Sequence, residues 1–113
     1  MKKFAAVFAL TTLGSLSAFA GEFTGYISDT QCAAMNKNKK AATEWINPKE
    51  FESCVKKCVK SGSAAVFLTP DNKIIKIDAA SMDKVTPMLG HKVAVTGKID
   101  GDVLTIDSIS DAK

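Results

Sequence analysis

Cys32, Cys54 and Cys58 are the residues of this sequence best suited to chemistry, and the last two stand four apart in Ser-Cys-Val-Lys-Lys-Cys-Val. Two sulfurs one helical turn apart can chelate a soft ion, and Cys32 offers a third donor. Three thiolates suit trigonal Cu(I), whereas a tetrahedral Zn(II) site needs a fourth ligand. Met35, one turn beyond Cys32 if that segment is helical, and His91, the only histidine, are the weaker ligands that could supply it. Both have plainer readings. Methionine commonly fills gaps in cores, and a histidine after Gly90 suits the exposed start of a strand.

A disulfide competes with the metal. Cβ atoms four apart on a helix are about 5–6 Å from each other, against roughly 3.8 Å in a relaxed bridge, so joining Cys54 to Cys58 would strain or unwind the helix. Pairing Cys32 with Cys54 or with Cys58 is easier and closes a loop worth around 3 kcal/mol in the chain-entropy model. An odd number of cysteines then leaves one sulfur buried and inert, metal-bound, or available to a protein partner or a second copy of the chain. Thiol–disulfide redox chemistry is the third class. Its signature is Cys-x-x-Cys at a helix N-terminus, and here the spacing is one residue longer and Cys54 falls near mid-helix. Asp29, close to Cys32 in sequence, has the type of a base or ligand, although an Asp ending a strand is usually a turn or cap residue. With a single histidine, no paired carboxylates on one face and no glycine-rich phosphate loop, the pattern favours a binding or interaction module over an enzyme.

The compartment follows from residues 1–20. Met1, Lys2 and Lys3 give a positive start, Phe4 to Leu16 an apolar run, and Ala18-Phe19-Ala20 the small residues a signal peptidase reads. The expectation is a signal peptide over 1–20 and one domain over 21–113, periplasmic or secreted, with no membrane attachment after cleavage. Cleavage removes Lys2 and Lys3 from 15 basic residues, all lysine, so the remainder nearly balances the 12 acids. A near-neutral domain without arginine is a poor partner for nucleic acid.

The elements that must position the cysteines read as follows. Glu22 to Ser28 alternates as a first strand, with Gly25 as a bulge site, and Asp29-Thr30 can cap a short helical turn carrying Cys32 and Met35. Asn36 to Lys40 is polar, has no core pattern and reads as a mobile loop. Asn47, Pro48 and Glu50 form a helix start, and Phe51, Cys54, Val55, Cys58 and Val59 follow at i, i+3, i+4 spacing, which turns both helix cysteines inward; Gly62 supplies the stop. Ala64–Leu68 and Lys73–Asp78 flank a Thr-Pro-Asp-Asn turn, and Asp78 to Leu89 is weakly helical. Lys92–Ile99 and Asp102–Ile109 flank Asp100-Gly101, expected as a two-residue type I′ hairpin turn. The resulting fold class is mainly β with a helical insert: a five-stranded OB-like small barrel with the cysteine-bearing helix after strand one.

Thr24-Gly-Tyr-Ile-Ser-Asp-Thr-Gln-Cys32, Cys54-Val-Lys-Lys-Cys58-Val, Val93-Ala-Val-Thr-Gly97 and Gly101-Asp-Val-Leu-Thr-Ile-Asp-Ser-Ile109 together resemble a family of small exported bacterial proteins. That family's pattern is roughly Gly-Trp-Ile-Ser-Asp-Ser-x-Cys-Gly, Cys-Thr-Lys-Lys-Cys-Val and a closing Val-Thr-Val-Thr-Gly hairpin. The resemblance spans almost the whole chain after residue 20 and implies an exported domain with this cysteine set, but no activity. Here Tyr26 replaces the Trp, Ala33 replaces the Gly, and the segment before the helix is longer and contains Trp45 and Ile46. Broader relatives carry a His where this chain has Phe51.

Overall fold

The computed structural model describes residues 18–112. The predicted signal peptide lies outside them except for its last three residues, which open the first strand, β1 (Ala18–Asp29). β1 serves two neighbours. Its first part pairs antiparallel with β4 (Lys92–Asp100), from Ala18 opposite Asp100 to Tyr26 opposite Lys92. Its last four residues pair with β2 (Ala65–Leu68), Tyr26 opposite Leu68 and Asp29 opposite Ala65. The handover comes at Gly25, where a Cβ would run into the Leu68 carbonyl oxygen and the Phe67 ring. Glycine therefore permits the close approach needed where one strand passes from one partner to the other.

β2 continues into β3 (Ile74–Ile77), and β3 meets β5 (Val103–Asp111) in the one parallel pairing, Lys76 opposite Val103. With β5 antiparallel to β4, the order β1-β2-β3-β5-β4 closes into a barrel. This is the five-stranded OB-like arrangement expected from the hydrophobic alternation, and closure leaves no open sheet edge among the described residues. Ile27, Phe67, Val93, Val95 and Leu104 fill its interior. The bulge occurs at Gly97 rather than at Gly25: the register steps from Thr96–Ser108 to Gly97–Ile106, skipping Asp107. Ser81 accepts a hydrogen bond from the Ile106 N–H through its buried hydroxyl at 2.9 Å, so the irregular strand keeps its donor satisfied.

Two helices fill the connection between β1 and β2. The short helix α1 (Thr30–Met35) starts on Asp29, whose Oδ2 accepts from the N–H groups of Gln31 and Cys32 at 3.0 and 3.2 Å. The longer helix α2 (Pro48–Lys60) starts on Asn47, whose Oδ1 accepts from the Lys49 N–H, with Pro48 at its first turn. It stops at Ser61 and Gly62, the latter at a φ of 114°. Phe51 and Val55 bury its apolar stripe against the barrel, and Phe51 packs edge-to-face on Tyr26 and Trp45. Cys54 is one residue from Val55, hence roughly 100° round the helix. It is exposed and Cys58 only half-buried, so the expectation that both helix cysteines turn inward does not hold. The segment Asp78 to Leu89 forms a short helix, α3 (Met82–Val85), between two 3-10 turns.

The segment Asn36–Lys40, expected to be a mobile loop, is tethered. Asn72, in the β2–β3 turn with a φ of 69°, donates both amide hydrogens to the carbonyls of Asn36 (2.8 Å) and Lys39 (3.0 Å) and accepts from the Trp45 indole N–H (2.9 Å). The Ala42 N–H adds a bond to the Pro70 carbonyl. One turn residue thereby holds the insert onto the barrel from 27 to 36 positions away in sequence. The β4–β5 turn also departs from expectation. Asp100 still pairs with Val103, so the turn residues are Gly101 and Asp102, and the positive φ (67°) falls on Gly101 alone. That pattern belongs to a type II′ turn, with glycine at the first central position, rather than to type I′.

Asn72→Ala should lose roughly 1–3 kcal/mol in urea denaturation, because it strands the Trp45 donor and two part-buried loop carbonyls. A loss below a few tenths would show that the tether carries no load. Gly101→Val should cost about 1 kcal/mol or more through backbone strain alone, since no atom lies near the position a Cβ would take. An unchanged melting curve for that variant would refute the turn assignment.

Candidate functional site

The cysteine cluster exists because two helix starts are fixed independently and then pressed together. Asp29 ends a strand and caps α1 with one carboxylate oxygen, which places Cys32 in the first turn facing α2. Asn47 and the burial of Phe51 and Val55 set the rotation of α2, which leaves Cys54 and Cys58 on the flank toward α1. The three sulfurs lie within 4.8 Å of one another. Cys32 Sγ is 2.9 Å from Cys54 Sγ and 3.8 Å from Cys58 Sγ.

All three are free thiols. The disulfide expected between Cys32 and either Cys54 or Cys58 is not formed in this structure, although both partners are at hand. Exposure differs sharply around the cluster: Cys32 is buried, Cys58 half-buried and Cys54 open to solvent. Burial pushes the Cys32 thiol well above its ordinary range, and Cys54 and the Asp29 carboxylate push it further. Cys58 is also raised, first by desolvation, with Asp29 among the contributing charges. A carboxylate beside thiols disfavours thiolate, which adds to the effect of burial at Cys32 and Cys58.

Asp29 has a second feature. Its Oδ2 caps α1, but its Oδ1 is buried without a hydrogen-bond partner among the described residues. Such an atom is costly unless something completes it. The same carboxylate acts on the sulfurs of both Cys32 and Cys58.

The two weaker ligand choices fare differently. Met35 is 74% exposed and lines a concavity of about 190 Å³ whose wall also includes Cys32, Cys54, Trp45 and Phe51. It is therefore at the edge of the cluster, and it does not fill a gap in the core. His91 is elsewhere. Its Nδ1 is 2.6 Å from Asp111 Oδ1 and its Nε2 is 3.3 Å from Glu52 Oε2, so both ring nitrogens are engaged by carboxylates. This arrangement ties α2 to β5 through the residue preceding β4. Neither it nor the Asn72–Trp45 bond has a sequence signature, since each joins residues 20 to 39 positions apart. A histidine and an asparagine in turn-like settings were the only hints.

No family model, curated protein or solved structure matches this chain, so the reading of the cluster rests on its own geometry.

The His91 contacts imply a pH dependence of stability. Asp111 chiefly, then Glu52, raises the His91 pKa above its ordinary value of 6.5. A pKa higher in the folded than in the unfolded chain contributes stability that is complete below the unfolded value and lost as pH rises through the folded one. Relative to His91→Gln, the wild type should therefore be most favoured below pH ~6.5 and lose that advantage toward alkaline pH. Urea midpoints of the two proteins across this range would measure it. A constant difference would remove the ion-pair account.

Proposed function

We propose that this chain is a small exported domain that holds a soft metal ion on Cys32, Cys54 and Cys58. The observation that carries this reading is the convergence of three thiols from two separately capped helices within 4.8 Å. A metal about 2.3 Å from each sulfur requires sulfurs roughly 4 Å apart, which the cluster reaches if the Cys32–Cys54 contact opens by about 1 Å. The ion is Cu(I) or Zn(II). Three thiolates with no imidazole among them favour Cu(I), because thiolate softness selects it and a trigonal site needs nothing more. For tetrahedral Zn(II), Met35 is the better placed of Met35 and His91, since it lines the same concavity as Cys32 and Cys54 whereas His91 is held by Asp111 and Glu52. A bound cation would also relieve the unfavourable placement of Asp29 beside sulfur.

Export is part of the proposal and comes from residues 1–20 and from the resemblance to a family of small exported proteins. The site of action is then the periplasm or the extracellular side, with no nucleic acid involved. Among the described residues no helix is long and apolar enough to cross a membrane. A disulfide-stabilised domain is the second reading, and the 2.9 Å Cys32–Cys54 contact favours it.

One set of melting curves separates the two. With the protein reduced and Cu(I) buffered at about a hundred times its Kd, linkage gives about 2.7 kcal/mol, or a rise of roughly 10–20 °C for a domain of this size. Cys58→Ser should lose most of that rise. If the disulfide is what matters, reductant alone should instead cost the wild type about 2–4 kcal/mol and Cys32→Ser should reproduce the loss, with Cu(I) and Zn(II) both silent. Silence toward metal in the reduced wild type would overturn the metal reading.

A further inference from the structure

The cysteines differ in more than burial. Cys54 is exposed and forms part of the wall of the 190 Å³ concavity, Cys58 is half-buried and lies outside that wall, and Cys32 belongs to the same wall but is buried, its sulfur 2.9 Å from that of Cys54. A solute entering the concavity meets Cys54 first. Trp45 and Phe51 supply apolar lining, and the exposed Met35 and Glu50 complete it, the latter with a carboxylate. At about 190 Å³ the space is below the roughly 300–1,000 Å³ of drug-sized sites and suits a guest of amino-acid size.

We propose that Cys54 is a thiolation site for small disulfides of the cystine class, which carry an ammonium group near the sulfur pair, and that Cys32 is the sulfur that resolves the adduct. The inference concerns the metal-free thiols and does not depend on the metal reading. Cys54 thiolate attacks one sulfur of the incoming R–S–S–R, forming Cys54–S–S–R while the S–S bond of the reagent breaks and R–S⁻ leaves to take up a proton. Cys32 then attacks Cys54 Sγ. The Cys32–Cys54 bond forms, the mixed disulfide breaks, and the second R–S⁻ leaves as R–SH with the proton lost by Cys32. Two electrons pass from the protein dithiol to the small disulfide, which ends as two thiols. Cys32 is placed for the second step and shielded from the first, because it is buried beside the sulfur that the reagent reaches. Glu50 favours reagents with an ammonium group and repels those with carboxylates alone.

The test uses the reduced, metal-free protein with cystine as the probe at mildly alkaline pH, quenched at intervals with an alkylating agent and mapped by peptide mass spectrometry. In wild type a cysteinyl adduct should appear on Cys54 and give way to a Cys32–Cys54 bond, with Cys58 alkylated. In Cys32→Ser the Cys54 adduct should persist, and in Cys54→Ser the total rate should fall about tenfold or more. Cys32→Ala, which keeps the buried position apolar, should prolong the Cys54 adduct as Cys32→Ser does, which guards against misreading a misfolded Cys32 variant. Dithiodiglycolate, a disulfide with carboxylates and no ammonium, should react more slowly than cystine. First modification at Cys58, a final bond that includes Cys58, or a Cys54 adduct no longer-lived in Cys32→Ser than in wild type would overturn the proposal, as would equal rates for the two reagents. Preloading with Cu(I) distinguishes the two readings: protection from cystine supports metal on these sulfurs, while unaltered thiolation sinks the metal reading and leaves this one standing.

Discussion

The turn of the chain at Asp29 is the constraint on which the rest of the site depends. The same residue closes β1 against Ala65, caps α1 through Oδ2, and lies buried beside the thiols. The adjacent Thr30 N–H bonds to the Ala64 carbonyl, so the strand ladder extends to the first residue of the helix. The chain thus leaves the barrel in a defined direction, and Cys32 follows three residues later with little freedom to point anywhere except at α2. Burying a carboxylate with one oxygen unpartnered is costly, and a natural fold retains such an atom chiefly where it has a use.

The insert that carries α1 and α2 has little core of its own. It borrows stability from the barrel in two places. Phe51 and Val55 join the main core, while Ala33 and Ala42 pack with Val66 and Leu68 in a smaller cluster on the other side of β2. Asn72 then supplies the polar half of the attachment, satisfying an indole and two loop carbonyls that an apolar contact could not. Trp45 links these parts, since it packs on Phe51 and hydrogen-bonds to Asn72 while forming one wall of the concavity. Rigidity of the sulfur cluster is therefore a property of the barrel hairpin as much as of the helices.

The two proposed chemistries, metal binding and disulfide exchange, would draw on the same asymmetry. A buried sulfur next to an exposed one would give an ion a seat with one open side, and it would give a mixed disulfide a resolving partner. What separates the chemistries is the state of the thiols. Burial and the Asp29 carboxylate raise the Cys32 thiol, and a bound cation would favour its thiolate. The exposed Cys54 would make either reaction accessible from solvent without opening the barrel.

Much of the architecture was legible before any coordinates. Period-two alternation and turn residues determined five strands, Asn47-Pro48 and Gly62 bounded α2, and Asp29 was readable as a cap, because each of these is a local preference written within a few residues. The sequence also singled out the three cysteines, which the structure brings within 4.8 Å of one another. Tertiary structure alone decided the rest. The inward face of α2 was misread because Cys54 and Cys58 share the helical spacing of Phe51, Val55 and Val59, and only docking onto the barrel shows which side of that wide stripe is covered. The Asn36–Lys40 segment looked free because its anchor, Asn72, is in another hairpin. His91 was available as a ligand by type alone, and the approach of Asp111 and Glu52 removed it from the site. In each case the deciding partner is distant in sequence, and spacing within a single element contains no information about what that element will be packed against.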